Sequence, residues 1–318
     1  MFDVILTDAD NPVGRQVRAD LERHALSVYM YPHTVLDGNW VEKVLRFAVE
    51  QGCPMVIPIF YAEKLSAIAD RFPSVNVPVD SVVNILRLDD KVSACALAAS
   101  LGIPQPEIYI GPGAVGIDGA ESYPVVFKRA SGHGGDSVYF PKNRETLDHL
   151  MASSVEGSYI VQKHIARGRE VSVDAIRWGG RFFAAAYEVL LPQSKGASVM
   201  RRSIDAPELC DYARRMLDAV GYRGVCGFDF IDGLFLECNP RFSGGVGSQI
   251  ASGFDQPWML YCAATGREIE TPSFHPGTLT RSRRGSIDYL RTRIRRKKLN
   301  LRDLVLCLLT PVSAIDRD

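Results

Sequence analysis

The sequence predicts an α/β protein: a parallel-sheet unit at the N-terminus, followed by a larger two-lobed α+β region. Three observations predict it. Up to residue 85, short apolar runs alternate with helical stretches and short loops, the pattern of βαβ units. From residue 123 onward the runs meet at glycine-rich turns, the pattern of antiparallel hairpins. The length, 318 residues, suits about two or three domains or subdomains.

In the N-terminal unit, Val4-Ile5-Leu6 is a strand, and Asn11-Pro12 opens a helix that runs through Leu21. Residues 27–31 read as a second strand, 41–51 as a helix, and 55–59 as a third strand leading into a helix through Ala69. The first turn, Asp8-Ala9-Asp10-Asn11-Pro12-Val13-Gly14, has one glycine where a Rossmann dinucleotide site carries GxGxxG. Acids in that turn repel a pyrophosphate. A structural or acceptor-binding duty is therefore favoured over dinucleotide binding.

Residues 86–104 hold a helix that Asp89 or Asp90 can cap, that Gly102 stops, and that Pro104 cannot continue. Lys91 lies in its first turn, against the helix dipole. Local grounds favour a free surface lysine, the alternative being one aimed at an anion beyond the helix. Residues 123–140 read as a hairpin, with strands 123–129 and 137–140. Its loop, Ser131-Gly132-His133-Gly134-Gly135-Asp136-Ser137, lets backbone N–H groups approach a ligand. Lys128 sits in the first strand on the face opposite Phe127, and a lysine beside such a loop can hold phosphate oxygens.

Residues 158–163 and 169–176 are strands, and the second sends Glu170, Ser172 and Asp174 to one face and Val171, Val173 and Ala175 to the other. Residues 181–188 pair with it across Gly179-Gly180. Residues 206–220 form an amphipathic helix with Asp205 as N-cap and Pro207 in its first turn. In 225–245, Asp232-Gly233 marks a turn. A two-residue loop would set Asp229 opposite Leu236, so a three-residue loop 231–233 is expected. Phe228, Phe230, Leu234, Leu236 and Cys238 then share the oily face, and Asp229, Glu237 and Asn239 the other. Glu237 falls opposite Gly227, with Asp229 its diagonal neighbour at about 7–8 Å. Two carboxylates and an amide oxygen form a hard donor set suited to Mg²⁺.

Composition sets the remaining bounds. Lys+Arg and Asp+Glu both number 37, so the net charge is zero and a whole-chain polyanion binder is disfavoured. Within that balance, residues 281–302 carry ten basic residues against Asp288 alone. The seven scattered cysteines form no CxxC and suggest a reduced, cytoplasmic protein. No apolar run reaches the length of a membrane span, and the acid-flanked first strand does not read as a signal peptide.

The ordered set Asp90-Lys91, Val126-Phe127-Lys128 with its glycine loop, Gly168-Arg169-Glu170, and Gly227-Phe228-Asp229 with Glu237-Cys238-Asn239-Pro240-Arg241 resembles the ATP-grasp superfamily. Within it the set is most similar to carboxylate–amine ligases like the large subunit of carbamoyl phosphate synthase. The resemblance covers nearly the whole chain to about residue 275. It implies an N-terminal Rossmann-like pre-ATP-grasp domain at 1–88, a linker helix and lid subdomain at 89–162, a C-terminal subdomain with the metal site at 163–285, and a basic helical tail at 286–318.

The resemblance also implies roles. Lys91 and Lys128 contact ATP phosphates, and Ser131, Gly132, His133, Gly134, Gly135 and Ser137 form the lid. Gln162, Lys163, His164 and Ile165 form the adenine hinge, and Glu170 holds the ribose. Asp229, Glu237 and Asn239 hold two Mg²⁺ ions, with Mn²⁺ an alternative. Arg241 stabilises an acyl phosphate, and Arg201 or Arg202 supplies a second arginine. Lys163 departs from the pattern, since the hinge there usually carries Glu. His133 is also unusual for a lid.

The implied reaction activates a small carboxylate, an amino acid above all, and couples it to an amine as an amide. The alternatives are a carboxyphosphate- or carbamoyl-forming enzyme and a non-catalytic ATP-binding protein. The acceptor loops are expected at 8–14, 190–202 and 243–254. For the tail, docking on the protein's own body is favoured over an acidic carrier or anionic surface. Nucleic acid is not expected, and a homodimer is the default state.

Overall fold

The computed structural model describes residues 2–32, 38–117, 123–132, 137–155, 157–191, 198–296, 298 and 300–310. The N-terminal unit is β1 (Val4–Thr7), α1 (Pro12–Arg23), β2 (Val28–Met30), α2 (Trp40–Glu50), β3 (Val56–Pro58) and the short α3 (Ala62–Ser66). Its sheet is parallel in the order β2-β1-β3, with Ile5 paired to both Tyr29 and Val56. Asn11 caps α1 by accepting from the Gly14 N–H. A Cβ on Gly14 would run into the Ala9 backbone, so this glycine serves close helix–turn packing.

Helices α4 (Val82–Asp89) and α5 (Lys91–Ser100) follow, and the Asp90 side chain caps α5 by accepting from the Ser93 N–H. Next come β4 (Ile108–Ile110), β5 (Val125–Arg129), β6 (Val138–Tyr139), α6 (Arg144–Ala152) and β7 (Tyr159–Lys163). They make a four-stranded antiparallel sheet in the order β4-β7-β5-β6. The expected hairpin is present, with Phe127 opposite Tyr139.

The largest layer is a six-stranded antiparallel sheet in the order β12-β11-β8-β9-β10-β13. Its strands are β8 (Glu170–Trp178), β9 (Arg181–Leu191), β10 (Met200–Ile204), β11 (Gly224–Ile231), β12 (Leu234–Asn239) and β13 (Leu279–Arg281). Helices α7 (Pro207–Val220), α8 (Val246–Ala251) and α9 (Gln256–Ala264) cover it, and α10 (Arg283–Arg295) and α11 (Leu301–Leu309) end the described chain. The N-cap of α7 is Ala206 with no side-chain bond, not Asp205. Pro207 at the first helical position lacks an N–H, which reduces what a cap must satisfy.

The sheet's two faces feed two cores. Val171, Val173, Ala175 and Phe228 pack on α4, α5 and α7. Ile176, Tyr187 and Val225 pack on α8, α9 and the N-terminal unit through Val13, Val17 and Leu21. The N-terminal unit is thus seated on the large sheet, and polar bonds reinforce the seat: the Gly247 N–H donates to Gln16 at 3.0 Å and the Asn76 amide to the Ala264 carbonyl at 2.7 Å.

The tail docks on the body. Tyr289, Leu290, Leu306 and Cys307 join Leu191, Val199 and Met200 in a satellite core. Asn300 caps α11, as Leu301–Leu309 with Asp303 in its first turn leads one to expect. Among the described residues, no helix is long and apolar enough to cross a membrane.

Candidate active site

The site is built on the β11–β12 hairpin. Its turn holds only Asp232 and Gly233, both at positive φ, the signature of a type I′ connection. Ile231 pairs with Leu234 and Phe230 with Phe235, and then the register shifts so that Asp229 lies directly opposite Glu237. This corrects two expectations. There is no three-residue loop, and the two acids are not diagonal. A β-bulge at Leu236 absorbs the odd residue instead. It turns Phe235, not Leu236, into the core beside Phe228, Phe230 and Cys238. It also brings Asn239, not Glu237, opposite Gly227.

Asp229 is half-buried in this arrangement. Burial, then the adjacent Glu237 charge, push its carboxyl up to about 7, with Arg201 and Arg241 pulling the other way. The Asn239 amide donates to Asp229 at 3.4 Å, and its carbonyl accepts from Arg241 at 2.9 Å.

Two lysines converge on the same carboxylates. Lys91 is buried, contrary to the local reading of a surface residue. Its Nζ donates to the Gly132 carbonyl at 2.9 Å and stands 3.9 Å from Glu237. The cap at Asp90 and the Ala130 carbonyl just past β5, which accepts from the Lys91 N–H, fix this placement. Lys128 is buried too, and its Nζ donates at 3.1 Å to the carbonyl of Leu236, the bulge residue. Burial lowers the Lys128 ammonium from its ordinary value, and Glu237 opposes that shift.

The structure separates the two arginines of β10. Arg201 points inward, buried against Asp174 at 3.5 Å, and its Nε donates to Ser198. A Cβ on Gly245 would fall on its guanidinium, so the Ser243-Gly244-Gly245 run makes room for it. Arg202 lies on the opposite side of the strand, bound to Glu188 at the surface. It is not brought to the carboxylates.

Gln162 is buried on β7, with its Nε2 3.8 Å from Cys95 Sγ and its Oε1 without a partner. Lys163 turns outward to Glu107 at 3.8 Å, and its backbone N–H donates to the Glu107 carbonyl at 2.9 Å. His164 packs edge-on against Phe140, and Ile165 follows half-buried. Glu170 is exposed at the start of β8. Of the lid, Ser131 is exposed, Gly132 has φ +135° over Ser137, and Ser137 is buried with an unpartnered hydroxyl. His133, Gly134 and Gly135 lie outside the described residues.

Sequence reasoning missed three contributors: the Leu236 carbonyl, Asp174 as the partner of Arg201, and Phe60, whose ring lies 5.3 Å under the Arg241 guanidinium. The alternation that put Asp174 on the Glu170 face was a usable signal for the second. Nothing local pointed to Phe60.

Residues 158–282, which span the hairpin, the inward arginine and the sheet between them, match the family model described as ATP-grasp in the biosynthetic pathway with Ter operon. The chain has the ATP-grasp fold. Biotin carboxylase of Campylobacter jejuni, described as a β-γ-ATP complex, superposes with a TM-score of 0.68 at 18% identity, over 88% of this chain and 74% of that one. The biotin carboxylase domain dimer of Hydrogenobacter thermophilus 2-oxoglutarate carboxylase, in complex with MgADP, ADP and bicarbonate, gives 0.69 at 16% identity, over 88% and 73%. A search of the curated proteins finds no match. The fold accounts for the antiparallel large sheet and for the smaller sheet, from which Lys128 reaches it.

Proposed function

We propose that this ATP-grasp chain is an ATP- and Mg²⁺-dependent ligase that activates a small carboxylate as an acyl phosphate and joins it to an amine. One observation carries the reading: Asp229, Glu237 and Asn239 converge with buried Lys91, Lys128 and Arg241 at a single point between the two sheets. A protein that merely packs these sheets has no need of two opposed carboxylates ringed by three cations.

The donor set fits a divalent cation. It is all oxygen and contains two acids, and a bound cation would offset the burial and the Glu237 charge that together raise the Asp229 carboxyl. When bound, Mg²⁺ would neutralise phosphate charge. Asp229, Glu237 and Asn239 would hold it. Lys91 and Lys128 would hold phosphate oxygens as point charges, and the segment Ser131 to Ser137 would close over them and exclude water. The backbone of Gln162 to Ile165 would hold the adenine, with Glu170 toward the ribose.

The substrate carboxylate attacks the γ-phosphorus, and the bond to ADP breaks. An amine then attacks the acyl carbon, and phosphate leaves with the bonding pair and takes up the proton that the amine loses. Arg241, and Arg201 rather than Arg202, would balance charge on the transferred group.

A carboxyphosphate route is the alternative, favoured by the bicarbonate printed for the Hydrogenobacter neighbour. That neighbour is a domain dimer, and we take the same state for this chain. The test is ADP and phosphate release with Mg²⁺ against pools of amino acids and small acids, with a separate bicarbonate arm and Glu237→Ala as control. Turnover with one acid pool, lost in the variant, supports the ligase; turnover with bicarbonate alone selects the alternative. No nucleotide binding sinks both.

A further inference from the structure

Docking of the tail uses one face of each of its two helices. Ser286, Tyr289 and Leu290 of α10 turn toward the body, as do Asp303, Leu306 and Cys307 of α11. The opposite face is open. Ile287 and Ile294 on α10 stand one helical repeat apart, and Leu301, Val305 and Leu308 on α11 follow at i, i+4 and i+7. All five are exposed, by 43 to 76%.

Cations share this strip. Arg291 and Arg295 lie on the same side of α10 as Ile287 and Ile294, and Arg296, Lys298 and Arg302 are exposed around the connection to α11. Among the described residues, Arg291 has one acid, Asp288 at 3.8 Å on the surface, and the other four have none. The α10 dipole favours cations in its last turn, and a lone exposed aliphatic is ordinary. Five aliphatics on two helices tied together by Arg293 and Asp303, set among five cations and one acid, go beyond both.

Whatever covers this face must take up aliphatic side chains and several positive charges over one strip. A bilayer with anionic headgroups does so, since its phosphates meet the cations and its acyl boundary receives the aliphatics. A nucleic acid takes the cations but offers the aliphatics nothing, and among the described residues this face shows no aromatic ring on which a base could stack. We propose that the outer face of α10 and α11 seats the protein on an anionic lipid bilayer, with both helices lying in its surface plane. The inner face fixes the strip to the body, so the two opposite faces serve docking on the body and an anionic surface together.

The test is flotation of the full chain with vesicles of phosphatidylcholine alone, and of phosphatidylcholine with phosphatidylglycerol, at low and at high salt. The chain partitions at least about tenfold more strongly to the anionic vesicles, and high salt weakens that binding. Arg295→Gln with Arg296→Gln weakens it by about tenfold or more, and so, separately, does Ile294→Ser with Leu308→Ser. All four positions are exposed, so thermal melting is unchanged and the loss reports contact rather than folding. The emission of a Leu301→Trp variant shifts to the blue on anionic vesicles and is quenched by brominated lipid. Absence of partition to anionic vesicles overturns the proposal. So does binding that the aliphatic variant leaves unchanged, or polyglutamate or single-stranded DNA bound as tightly as the vesicles, either of which marks a face read by charge alone. A dimer that Ile294→Ser with Leu308→Ser splits, without vesicle binding by the wild type, gives the face to a second copy of the chain instead.

Discussion

Asp229 faces Glu237 squarely across the β11–β12 ladder, and the bulge at Leu236 is what puts it there. Without the extra residue, the two-residue turn would set Asp229 opposite Leu236. The same bulge aims the Leu236 carbonyl at Lys128. One inserted residue therefore opposes the two acids and seats a buried cation beside them.

Replacing Glu237 by Gln removes the charge nearest Asp229 while keeping the side chain's shape. It also takes the counter-charge from two buried cations, Lys91 and Lys128, which outweighs the relieved repulsion, so the variant melts below the wild type in the absence of divalent ions. Its Mg²⁺-dependent ADP release drops by about 100-fold or more, the scale on which loss of one preorganised electrostatic group is felt. Melting curves with and without Mg²⁺, alongside turnover, check both halves. Unchanged turnover would remove Glu237 from the site.

Much of this was legible beforehand. The βαβ order of the N-terminal unit, the 123–140 hairpin and the grouping of Asp229, Glu237, Asn239 and Arg241 all rest on local pattern, and the chain folds as that pattern directs. Pairing register was not legible. A bulge at Leu236 and a longer loop at 231–233 satisfy the same alternation, and only packing of Phe235 against Phe230 chooses between them. The burial of Lys91 was hidden for a similar reason. Its partners, Gly132 and Glu237, lie 41 and 146 positions away.

Arg201 and Arg202 could not be ranked by sequence, since adjacent strand residues differ only in the face they take. The structure gives Arg201 to the interior and Arg202 to Glu188. Arg202→Ala therefore leaves turnover within about twofold, a surface pair being worth little. Arg201→Lys, which keeps the charge and loses the planar fork, lowers turnover by about tenfold or more. Gly245→Ala, whose methyl displaces the same guanidinium, reproduces the Arg201→Lys defect without touching a charged residue. Steady-state kinetics on the three variants decide the ranking, and a silent Arg201→Lys would reverse it.

The basic tail is held by one acid. Asp303 accepts from Tyr289 at 3.0 Å and from Arg293 at 3.1 Å, tying α11 back to α10. Asp303→Ala leaves both donors without that acceptor and costs about 1–3 kcal/mol locally. Amide hydrogen exchange in 301–309 should rise, with the rest of the chain unchanged. Protection that stays as in the wild type would mean that Leu306 and Cys307 hold the helix without it.

The contact between α1 and α9 contains a proton. Asp20 is almost wholly buried, and burial, then the neighbouring Asp255, push its carboxyl up to about 9 against the pull of Arg23. Asp255 goes the other way; burial is resisted by bonds from Asp20 and His24 and by the Arg23 charge, and its carboxyl is held below the ordinary range. The pair therefore carries one proton, donated by Asp20 to Asp255. The ordinary value of Asp20 is 3.8. Between that value and about 9 the folded chain keeps a proton that the unfolded chain releases, so the folded state binds more protons and stability falls as pH rises. The slope contributed by this one group is up to about 1.4 kcal/mol per pH unit. Asp20→Asn keeps a donor toward Asp255 but has no proton to lose. Urea unfolding at about pH 6 and about pH 8 should show the wild type losing more stability over that interval than the variant, with the variant the more stable at the upper pH. Parallel pH dependences would mean that Arg23 keeps both acids ionised at this contact.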